Sequence, residues 1–276
     1  MAAATIPAGQ QPVVPHGVGA KLRWGVADAL VIARRSLLRV PRSPELLLGF
    51  TIQPVMFVLL FRYVFGGAIE TPGVSYVDFL LPGILVQSIA FGSTVTGVGI
   101  VEDLQKGLTD RFRSLPMARS AVLAGRTIAD IVTNWFQVTV MLVVGYAVGF
   151  RFSTSVPDVV AGLALLTLVG FAFSWLSAVV AMGVSSVEAA QQASFTWLFP
   201  LTFVSSAFVP PETMPEPLKT FATDINPFTL WVDSLRHLFV GTPVDDQIWL
   251  GLIWVLAILV VFAPLAVWRY DRVATR

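Results

Sequence analysis

The chain has 276 residues, of which 55% are apolar and 13% charged. Soluble domains carry about 45–50% apolar and about 25% charged residues, so this chain is too poor in charge to cover a surface that faces water. The composition excludes an ordinary soluble enzyme and a disordered chain, and it indicates a protein that crosses the membrane several times. The absence of cysteine excludes disulfides, thiolate metal sites and cysteine nucleophiles.

The N-terminal region is predicted to stay on the cytoplasmic side. Residues 1–20 are polar and lack the basic cluster and apolar core of a signal peptide, so they are predicted to form a disordered tail. Residues 22–40 mix apolar and basic side chains in a pattern typical of an amphipathic helix on the inner leaflet. This interface helix would anchor the chain to membrane lipids, dock a cytoplasmic partner, or do both, through Trp24, Arg34, Arg35 and Arg39.

Six apolar windows of about 20 residues follow, and each is long enough for a helix to cross the bilayer core. They predict an all-α, polytopic membrane protein whose domain over residues 21–276 contains six transmembrane helices. Glu188 is the one charge between residues 159 and 211, so Ser185–Glu188 marks the expected turn between two of these helices. The predicted spans lie at about 46–65, 79–101, 127–150, 159–183, 190–209 and 248–268.

The basic residues predict the orientation of the chain. Most of the 18 lysines and arginines lie before the first span, between the second and third spans, or after the sixth. Cytoplasmic loops are enriched in these residues, so both termini are predicted to be cytoplasmic in a multi-pass protein of the cytoplasmic (inner) membrane. An even number of spans agrees with that orientation.

The loop between the second and third spans contains a predicted short helix. Leu108, Phe112 and Leu115 follow a helical spacing and share one face, and Pro116 ends the helix. An apolar ridge with basic flanks suits the groove of a partner protein, although a basic loop that only enforces topology remains the alternative. The candidate contact residues are Leu108, Thr109, Asp110, Arg111, Phe112, Arg113, Leu115 and Pro116.

The segment from 210 to 246 is predicted to form an external helical hairpin before the last span. Four prolines between residues 210 and 217 exclude a continuous helix, and Asn226–Pro227 starts a second helix in which Asp233 can pair with His237. The segment is too short to span the bilayer and too apolar for open water, which favours a re-entrant or interfacial hairpin. Its candidate functional residues are Pro210, Pro211, Met214, Asn226, Pro227 and Arg236.

The search for catalytic motifs predicts that the chain is not an enzyme. It has no Gly-Lys-Ser/Thr phosphate loop, and its two histidines are far apart, so we expect no metal site. Asp130 is the one acid inside a predicted span, and Arg126 lies four residues before it, in position for an ion pair. Alternatively Asp130, Asn134 and Gln137 form a polar stripe that lines a path, although such stripes usually join helices. Because the chain has no phosphate-binding loop, the energy for any transport would come from another subunit.

Several segments resemble the type-2 ABC exporter permeases, and the daunorubicin-resistance-type subgroup in particular. Gly107–Met117 resembles their first cytoplasmic loop, and Leu80–Ile84 resembles the start of their second span. Pro200 with Ser205–Pro215 resembles their fifth span and external loop, and Asn226–Pro227 with Arg236 resembles the segment before their sixth span. The resemblance covers most of residues 34–272.

The resemblance implies a permease that pairs with a second permease copy, as a homodimer or a paralogous heterodimer, and with two separate ATPase subunits. ATP and Mg would bind the ATPases, and this chain would bind no cofactor and no nucleic acid. The segment from Leu108 to Pro116 would be the coupling helix, and the external hairpin would cap the path. Family substrates are amphipathic drugs, lipids or glycolipids.

Two functions other than ATP-driven export remain open. A proton-coupled secondary carrier would use Asp130 as its relay, and a non-transporting membrane scaffold would have no substrate. The exporter hypothesis predicts an apolar cavity between paired permeases, although lipid-facing or packed aromatic side chains are the alternative. The candidate lining of this cavity is Phe91, Trp135, Phe136, Phe195, Trp197, Phe199 and Phe203. The polar stripe of Asp130, Asn134 and Gln137 is a separate candidate for the translocation path.

Overall fold

The computed structural model describes residues 31, 44–69, 71, 73–106, 119–243 and 246–273. All regular structure in these residues is helical, as the composition predicts. A π-helical turn lies at Phe61–Phe65, and short helical turns lie at Pro211–Thr213 and Phe221–Ile225. The α-helices are α1 Pro44–Leu60, α2 Tyr76–Gly92, α3 Thr94–Gln105, α4 Arg119–Val148, α5 Val156–Ala181, α6 Val187–Phe203, α7 Glu216–Thr220, α8 Pro227–Val240 and α9 Gln247–Val273.

Helices α2 and α3 form one rod that is interrupted at Ser93. The rod begins at Tyr76, three residues before the predicted span, because Ser75 caps it by accepting a hydrogen bond from the backbone N–H of Asp78 over 3.2 Å. At the interruption, the Ser93 hydroxyl lies 2.8 Å from the carbonyl of its own helix at Ile89 and 3.0 Å from that of Gly170 in α5. The break in the rod is thus tied to the neighbouring helix.

Helix α5 lies at the centre of the bundle, where it contacts α2, α3, α4, α6, α8 and α9. A capping box of Ser155 and Asp158 starts it. Its approach to α3 is close, since a Cβ atom at Gly97 would lie 2.6 Å from the carbonyl oxygen of Ser177. A larger side chain at Gly97 would therefore push the two backbones apart.

The bundle has two ends that are distinguished by their connections. At the loop end, Gln105 donates to the Ser185 carbonyl over 3.0 Å, and Arg269 donates to the Val179 carbonyl over 2.8 Å. At the hairpin end, the hydroxyl of Tyr76 donates to the Phe208 carbonyl over 3.2 Å. Lys106, the last described residue before the segment 107–118, lies at the loop end, and residues 210–240, which we call the hairpin, lie at the other.

Four of the six predicted spans coincide with helices that are long and apolar enough to cross a membrane: Tyr76–Gln105, Ala124–Val148, Val156–Ala181 and Gln247–Tyr270. The first predicted span forms a shorter apolar helical stretch, Thr51–Phe65. The fifth was predicted to reach Val209, and this bound is wrong because α6 ends at Phe203. The total of six spans stays a prediction.

A serine ends α6 early. The Ser205 hydroxyl donates to the Thr202 carbonyl over 2.6 Å and accepts from the Ala207 N–H over 3.2 Å. Such local bonds between a serine side chain and the backbone compete with the helical hydrogen bonds. The apolar window continues past this point in the sequence, but the helix does not.

Large apolar side chains cover the outside of the bundle. On α9, Ile253, Leu256 and Val260 are 61%, 61% and 64% exposed, and Trp249 near its start is 70% exposed. Water would penalise such a surface by about 25 cal/mol for each Å² left uncovered. A hydrocarbon surrounding removes that penalty, so this face is suited to lipid.

Candidate functional site

The predicted cytoplasmic contact segments fall outside the described residues. They are the helix from Leu108 to Pro116 and the interface residues Trp24, Arg34, Arg35 and Arg39. The structure does describe the helices on either side of the first segment, since α3 ends at Gln105 and α4 begins at Arg119. Both bounds lie at the loop end, so a partner that binds residues 107–118 would meet the bundle there.

An ion pair joins α3 to α4 near the loop end. Arg126 donates to Asp103 over 2.8 Å, and both side chains are 12% exposed. Gly99 lies beneath the guanidinium, because a Cβ atom there would stand 2.6 Å from Arg126 Nη1. The spacing predicted an ion pair between Arg126 and Asp130. That prediction is wrong, since α3 supplies the carboxylate from a different helix.

The polar stripe of α4 faces into the bundle. Asn134 and Gln137 are 6% and 5% exposed, and Asn134 lies 3.4 Å from the Ser93 hydroxyl of the α2–α3 break. Asp130 is half-buried and accepts a hydrogen bond from Ser174 of α5 over 3.4 Å. Polar side chains in apolar surroundings hold helices together in this way. Within one copy of the chain, the stripe is therefore occupied by contacts between helices.

The aromatic path candidates lie on α2, α4 and α6. Phe91 and Phe195 pack with ring centroids 5.0 Å apart, and Phe199 stacks on Phe203 at 4.3 Å. Trp135 and Phe199 are 40% and 48% exposed. These helices therefore present aromatic surface outside the single bundle, where lipid, substrate or a second copy would meet it.

The second helix of the hairpin begins at the predicted cap. The side-chain oxygen of Asn226 accepts from the Phe228 N–H over 3.0 Å, while its amide donates to the Leu201 and Val204 carbonyls over 2.7 and 2.6 Å. Pro227 takes the first helical position, where its missing N–H costs nothing. Asn226 thus satisfies orphan groups of α6 and α8 together.

The first arm of the hairpin is built on its prolines. Pro210 and Pro211 are buried, and the Thr213 hydroxyl donates to the Pro210 carbonyl over 2.7 Å. Met214 is half-buried and follows this turn. Prolines preset their own φ and suit such a turn. The segment contains the helices α7 and α8, and the predicted re-entrant or interfacial hairpin stays a prediction.

Arg236 is buried at the hairpin end, where it is 5% exposed. It donates twice to the Phe79 carbonyl, over 3.0 and 3.2 Å, and once to the Ser206 carbonyl over 2.8 Å. Its fourth bond, over 2.5 Å, goes to Asp233, and its guanidinium lies 3.7 Å from the centroid of the Phe79 ring. One side chain therefore joins α8 to α2 and to the turn after α6.

Gly83 lets the same turn approach α2. A Cβ atom at Gly83 would lie less than 3.0 Å from three backbone atoms of Ala207, closer than real Cβ atoms come. Deeper in the bundle, Gln87 donates to the Thr202 hydroxyl of α6 over 3.2 Å. We call Phe79, Gly83, Ser206, Asp233 and Arg236 the clasp, since together they fasten the hairpin to α2.

The acid of the clasp pairs differently from the prediction. Asp233 was expected to pair with His237, and this is wrong: it accepts from Arg236 and, over 2.7 Å, from the Ser206 hydroxyl. His237 Nδ1 instead lies 2.5 Å from the Thr242 carbonyl, to which it donates. Burial raises the pKa of the Asp233 carboxyl, and the charge of Arg236 opposes this rise. Burial also lowers the pKa of Arg236 to about 10, so the guanidinium stays charged at neutral pH.

Beside the clasp lies an open cavity of about 260 Å³. Its walls come from the starts of α2 and α9, from the proline turn and from α8. Most of its polar groups are side chains of the hairpin, including Glu212, Asp233 and Arg236. The cavity is distinct from the aromatic surfaces of α4 and α6.

The sequence analysis missed several residues of this site. Phe79 and Ser206 accept from Arg236 through their backbone carbonyls, which any residue type could supply, so this part of their role left no signal in the sequence. Gly83 and Ser206 each stand inside an apolar window. A glycine or a serine pair in such a window is a signal for close backbone approach or for local backbone hydrogen bonding.

The fold and the site together define the class of protein. In the part of the chain that the structure describes, all regular structure is helical, four helices are long and apolar enough to cross a membrane, and buried polar contacts join the helices. These features define a multi-pass membrane protein. The sequence profile of the ABC-2 type transporter family matches residues 28–240, and the chain belongs to this family. It is therefore a permease, the membrane subunit of an ABC transporter, and not the subunit that hydrolyses ATP.

Similar proteins support the same assignment. The "Daunorubicin resistance ABC transporter permease protein DrrB1" of Streptomyces coeruleorubidus is 32% identical over 245 residues, which cover 89% of this chain and 86% of that protein. The "Probable doxorubicin resistance ABC transporter permease protein DrrC" of Mycobacterium tuberculosis is 25% identical over 255 residues, covering 92% of this chain and 91% of that protein. The resemblance found in the sequence motifs is thus confirmed.

Proposed function

We propose that this chain is the membrane subunit of an exporter that moves amphipathic drugs, lipids or glycolipids across the cytoplasmic membrane. A separate ATPase subunit, present in two copies, would bind ATP and Mg and supply the energy. A second permease copy would complete the pathway. The observation that carries the proposal is the similarity to a daunorubicin resistance permease over 86% of that protein's length.

The arrangement of the helices supports an orientation in which the loop end of the bundle lies on the cytoplasmic side. The chain passes from one end of the bundle to the other along α2–α3, α4, α5, α6 and α9, and α1 reaches the hairpin end, where Phe61 stacks on Phe208 at 4.7 Å. These six passages agree with the six predicted spans and with cytoplasmic termini. With this orientation, the predicted coupling segment 107–118 would lie on the cytoplasmic side, where an ATPase could bind it.

The exposed aromatic surface supports an amphipathic substrate. Trp135 and Phe136 of α4 and Phe195 and Phe199 of α6 are 40–48% exposed, and none of them carries charge. Planar apolar molecules gain by burying area against such rings. A hydrophilic anion would gain nothing there, so preferential transport of such an anion would contradict the substrate assignment.

Charge reversal in the predicted coupling helix is expected to abolish binding of the ATPase. Arg111→Glu combined with Phe112→Glu removes a cation and the centre of the apolar ridge, so less than about a tenth of the ATPase should co-purify, which corresponds to about 1.4 kcal/mol or more. The measurement is the ATPase-to-permease ratio after co-expression with the neighbouring reading frames and purification in mild detergent.

The matched control places the same changes at the hairpin end. Leu218→Glu with Lys219→Glu alters an exposed apolar residue and a neighbouring cation on α7, and it should leave the ATPase ratio unchanged. If the coupling-helix variant retains the ATPase at full yield, the docking assignment is wrong. Equal loss in both variants would also contradict it.

Asp130→Asn is expected to leave ATP-driven transport at more than about half of the wild-type rate. The asparagine oxygen can still accept the hydrogen bond from Ser174, so the contact between α4 and α5 persists. The measurement is ATP-dependent uptake of a fluorescent amphiphile into inverted vesicles, with and without a protonophore. A proton-coupled carrier would lose transport completely in this variant and in the presence of the protonophore, and a scaffold would show no transport at all.

A further inference from the structure

Arg62 is a cation that the fold leaves without a partner. It lies in the π-helical turn Phe61–Phe65, directly after the last residue of α1. Within the described part of the chain, no hydrogen bond, ion pair or aromatic ring engages its half-buried side chain. Its Nε atom is buried, while its terminal nitrogens, Nη1 and Nη2, are not. The end of the guanidinium is therefore accessible, and its donors are free.

The other arginines of the bundle do have partners. Every other arginine whose side chain the structure describes is bonded to a carboxylate or a backbone carbonyl, or lies over an aromatic ring. These arginines are Arg126, Arg151, Arg236, Arg269 and Arg272. A guanidinium keeps its charge at any physiological pH, and partial burial strengthens its attraction for an anion. Because the described chain supplies no such anion, we expect it to come from outside.

The surroundings of Arg62 suit the boundary between hydrocarbon and lipid head groups. The π-helical turn is the last turn of the apolar stretch Thr51–Phe65. The neighbouring side chains of Tyr63, Val64 and Phe65 are 70%, 64% and 41% exposed. Tyrosines at the ends of membrane helices lie at the level of the head groups. An arginine in the last turn can extend its charged end to the same level.

Packing fixes the position of this turn at the hairpin end of the bundle. The ring of Phe61 stacks on that of Phe208, with centroids 4.7 Å apart. On the other side of Arg62, a Cβ atom at Gly66 would clash with the Arg62 carbonyl and would lie 3.4 Å from the ring of Tyr76, at the start of α2. π-helical turns are rare and are frequent at functional sites. The backbone that carries the guanidinium is thus held by the residues before and after it.

We propose that Arg62 binds the phosphate group of a negatively charged phospholipid in the leaflet at the hairpin end. Nη1 and Nη2 would donate to two phosphate oxygens, as guanidinium and phosphate groups do in bidentate pairs. The acyl chains would lie against Val64 and Phe65. One lipid molecule thus supplies both the anion that Arg62 lacks and the hydrocarbon that the exposed side chains require. This site does not depend on which end of the bundle is cytoplasmic.

Other occupants match the site less well. Water would satisfy the donors of Arg62 but would leave its charge unmatched and the side chains of Val64 and Phe65 uncovered. A soluble anion would match the charge but would not cover these apolar side chains. A zwitterionic phospholipid carries its own cation next to the phosphate, so its attraction to the guanidinium is weaker.

The test is photo-crosslinking of the purified chain in detergent micelles. The probe is phosphatidylglycerol with a diazirine in one acyl chain, and peptide mass spectrometry measures the label on residues 61–65. Unlabelled dioctanoyl phosphatidylglycerol should compete with the probe. Dioctanoylglycerol, which has no phosphate, should compete at least about tenfold more weakly, and dioctanoyl phosphatidylcholine should fall between them. Equal competition by dioctanoyl phosphatidylglycerol and dioctanoylglycerol would overturn the proposal.

A soluble phosphate ester tests the source of the phosphate. Glycerol phosphate carries a phosphate anion without acyl chains, so it should not compete at concentrations at which dioctanoyl phosphatidylglycerol does. If it competes equally well, the occupant is a soluble anion and the assignment to a lipid is wrong.

Variants of one residue locate the binding site. Arg62→Gln should reduce the labelling about tenfold. Arg62→Lys should reduce it less, because the charge remains but the paired terminal nitrogens are lost. The matched control is Arg151→Gln, since Arg151 also lies at the hairpin end but donates to the Tyr146 and Phe150 carbonyls. Labelling of this control should equal that of the wild type, and equal loss in the Arg62→Gln and Arg151→Gln variants would overturn the site.

Thermal unfolding separates lipid binding from a purely structural role of Arg62. A ligand that binds the folded state raises the unfolding midpoint. Dioctanoyl phosphatidylglycerol should therefore raise the midpoint of the wild type and of the Arg151→Gln variant, and it should raise that of the Arg62→Gln variant much less. An equal rise in all three proteins would show that the lipid acts elsewhere and would contradict the proposal.

Discussion

Replacement of Arg236 by methionine is expected to lower the free energy of unfolding by about 3–5 kcal/mol. The change removes a buried cation, and it leaves the half-buried Asp233 carboxylate with only the Ser206 hydroxyl as partner. It also deprives the Phe79 carbonyl of two hydrogen bonds. The measurement is reversible unfolding in mixed micelles, followed by circular dichroism.

Two further variants test whether the loss of the clasp contacts causes the loss of stability in the Arg236→Met variant. Adding Asp233→Asn to the methionine variant removes the unpaired charge, so part of the lost stability should return. Lys106→Met removes a cation that pairs with Glu102 on the surface, where its side chain is 60% exposed, and such pairs contribute about 0–1 kcal/mol. If the Arg236 and Lys106 variants lose equal stability, the clasp does not hold the hairpin.

Gly83→Ala is expected to destabilise the bundle by about 1–3 kcal/mol or more. The added methyl group would meet backbone atoms of Ala207, which cannot move aside as the end of a flexible side chain could. Alanine favours helix over glycine by about 1 kcal/mol, so any net loss of stability must come from this contact. The readouts are the thermal unfolding midpoint and the fraction of monodisperse protein after extraction.

Gly67→Ala is the matched control for this substitution. A Cβ atom at Gly67 meets nothing within 4 Å, and its φ is not positive. This variant should therefore unfold like the wild type. A Gly83 variant as stable as the Gly67 variant would show that the turn after α6 does not press on α2 as the structure describes.

The rod of α2 and α3 connects the clasp to the loop end of the bundle. Its first turns carry Phe79 and Gly83 of the clasp, and its last turn ends at Gln105, next to the segment predicted to bind the ATPase. At the break between them, Ser93 contacts α4 and α5. The two ends of the bundle are therefore joined by packed helices with one defined interruption.

Much of the fold could be predicted from local patterns. The hydrogen bonds of a helix join residues four apart, so composition and spacing within about 20 residues predict where a membrane helix forms. Four predicted spans coincide with long apolar helices, and Asn226–Pro227 starts α8 as expected. The predicted end of the fifth span was wrong, because the end of α6 depends on hydrogen bonds of Ser205 that hydropathy does not measure.

The partners of charged side chains required the three-dimensional arrangement. Spacing along one helix assigned Arg126 to Asp130 and Asp233 to His237, yet Arg126 pairs with Asp103 of another helix and Asp233 with Arg236 and Ser206. The nearest partner depends on which helices pack together and on their rotation, and neither is encoded in local spacing.

The amino-acid pattern alone was sufficient for the class of the protein and for its family. Apolar length predicts membrane helices, and the family motifs are short and local. The clasp and its cavity depend on packing instead: Arg236 meets a carbonyl 157 residues away, at Phe79, and Glu212 stands beside the ion pair of α8. Contacts between distant residues form only when helices pack and exclude water. A guanidinium that has lost its water partners on burial must hydrogen-bond to protein groups, and here these are backbone carbonyls.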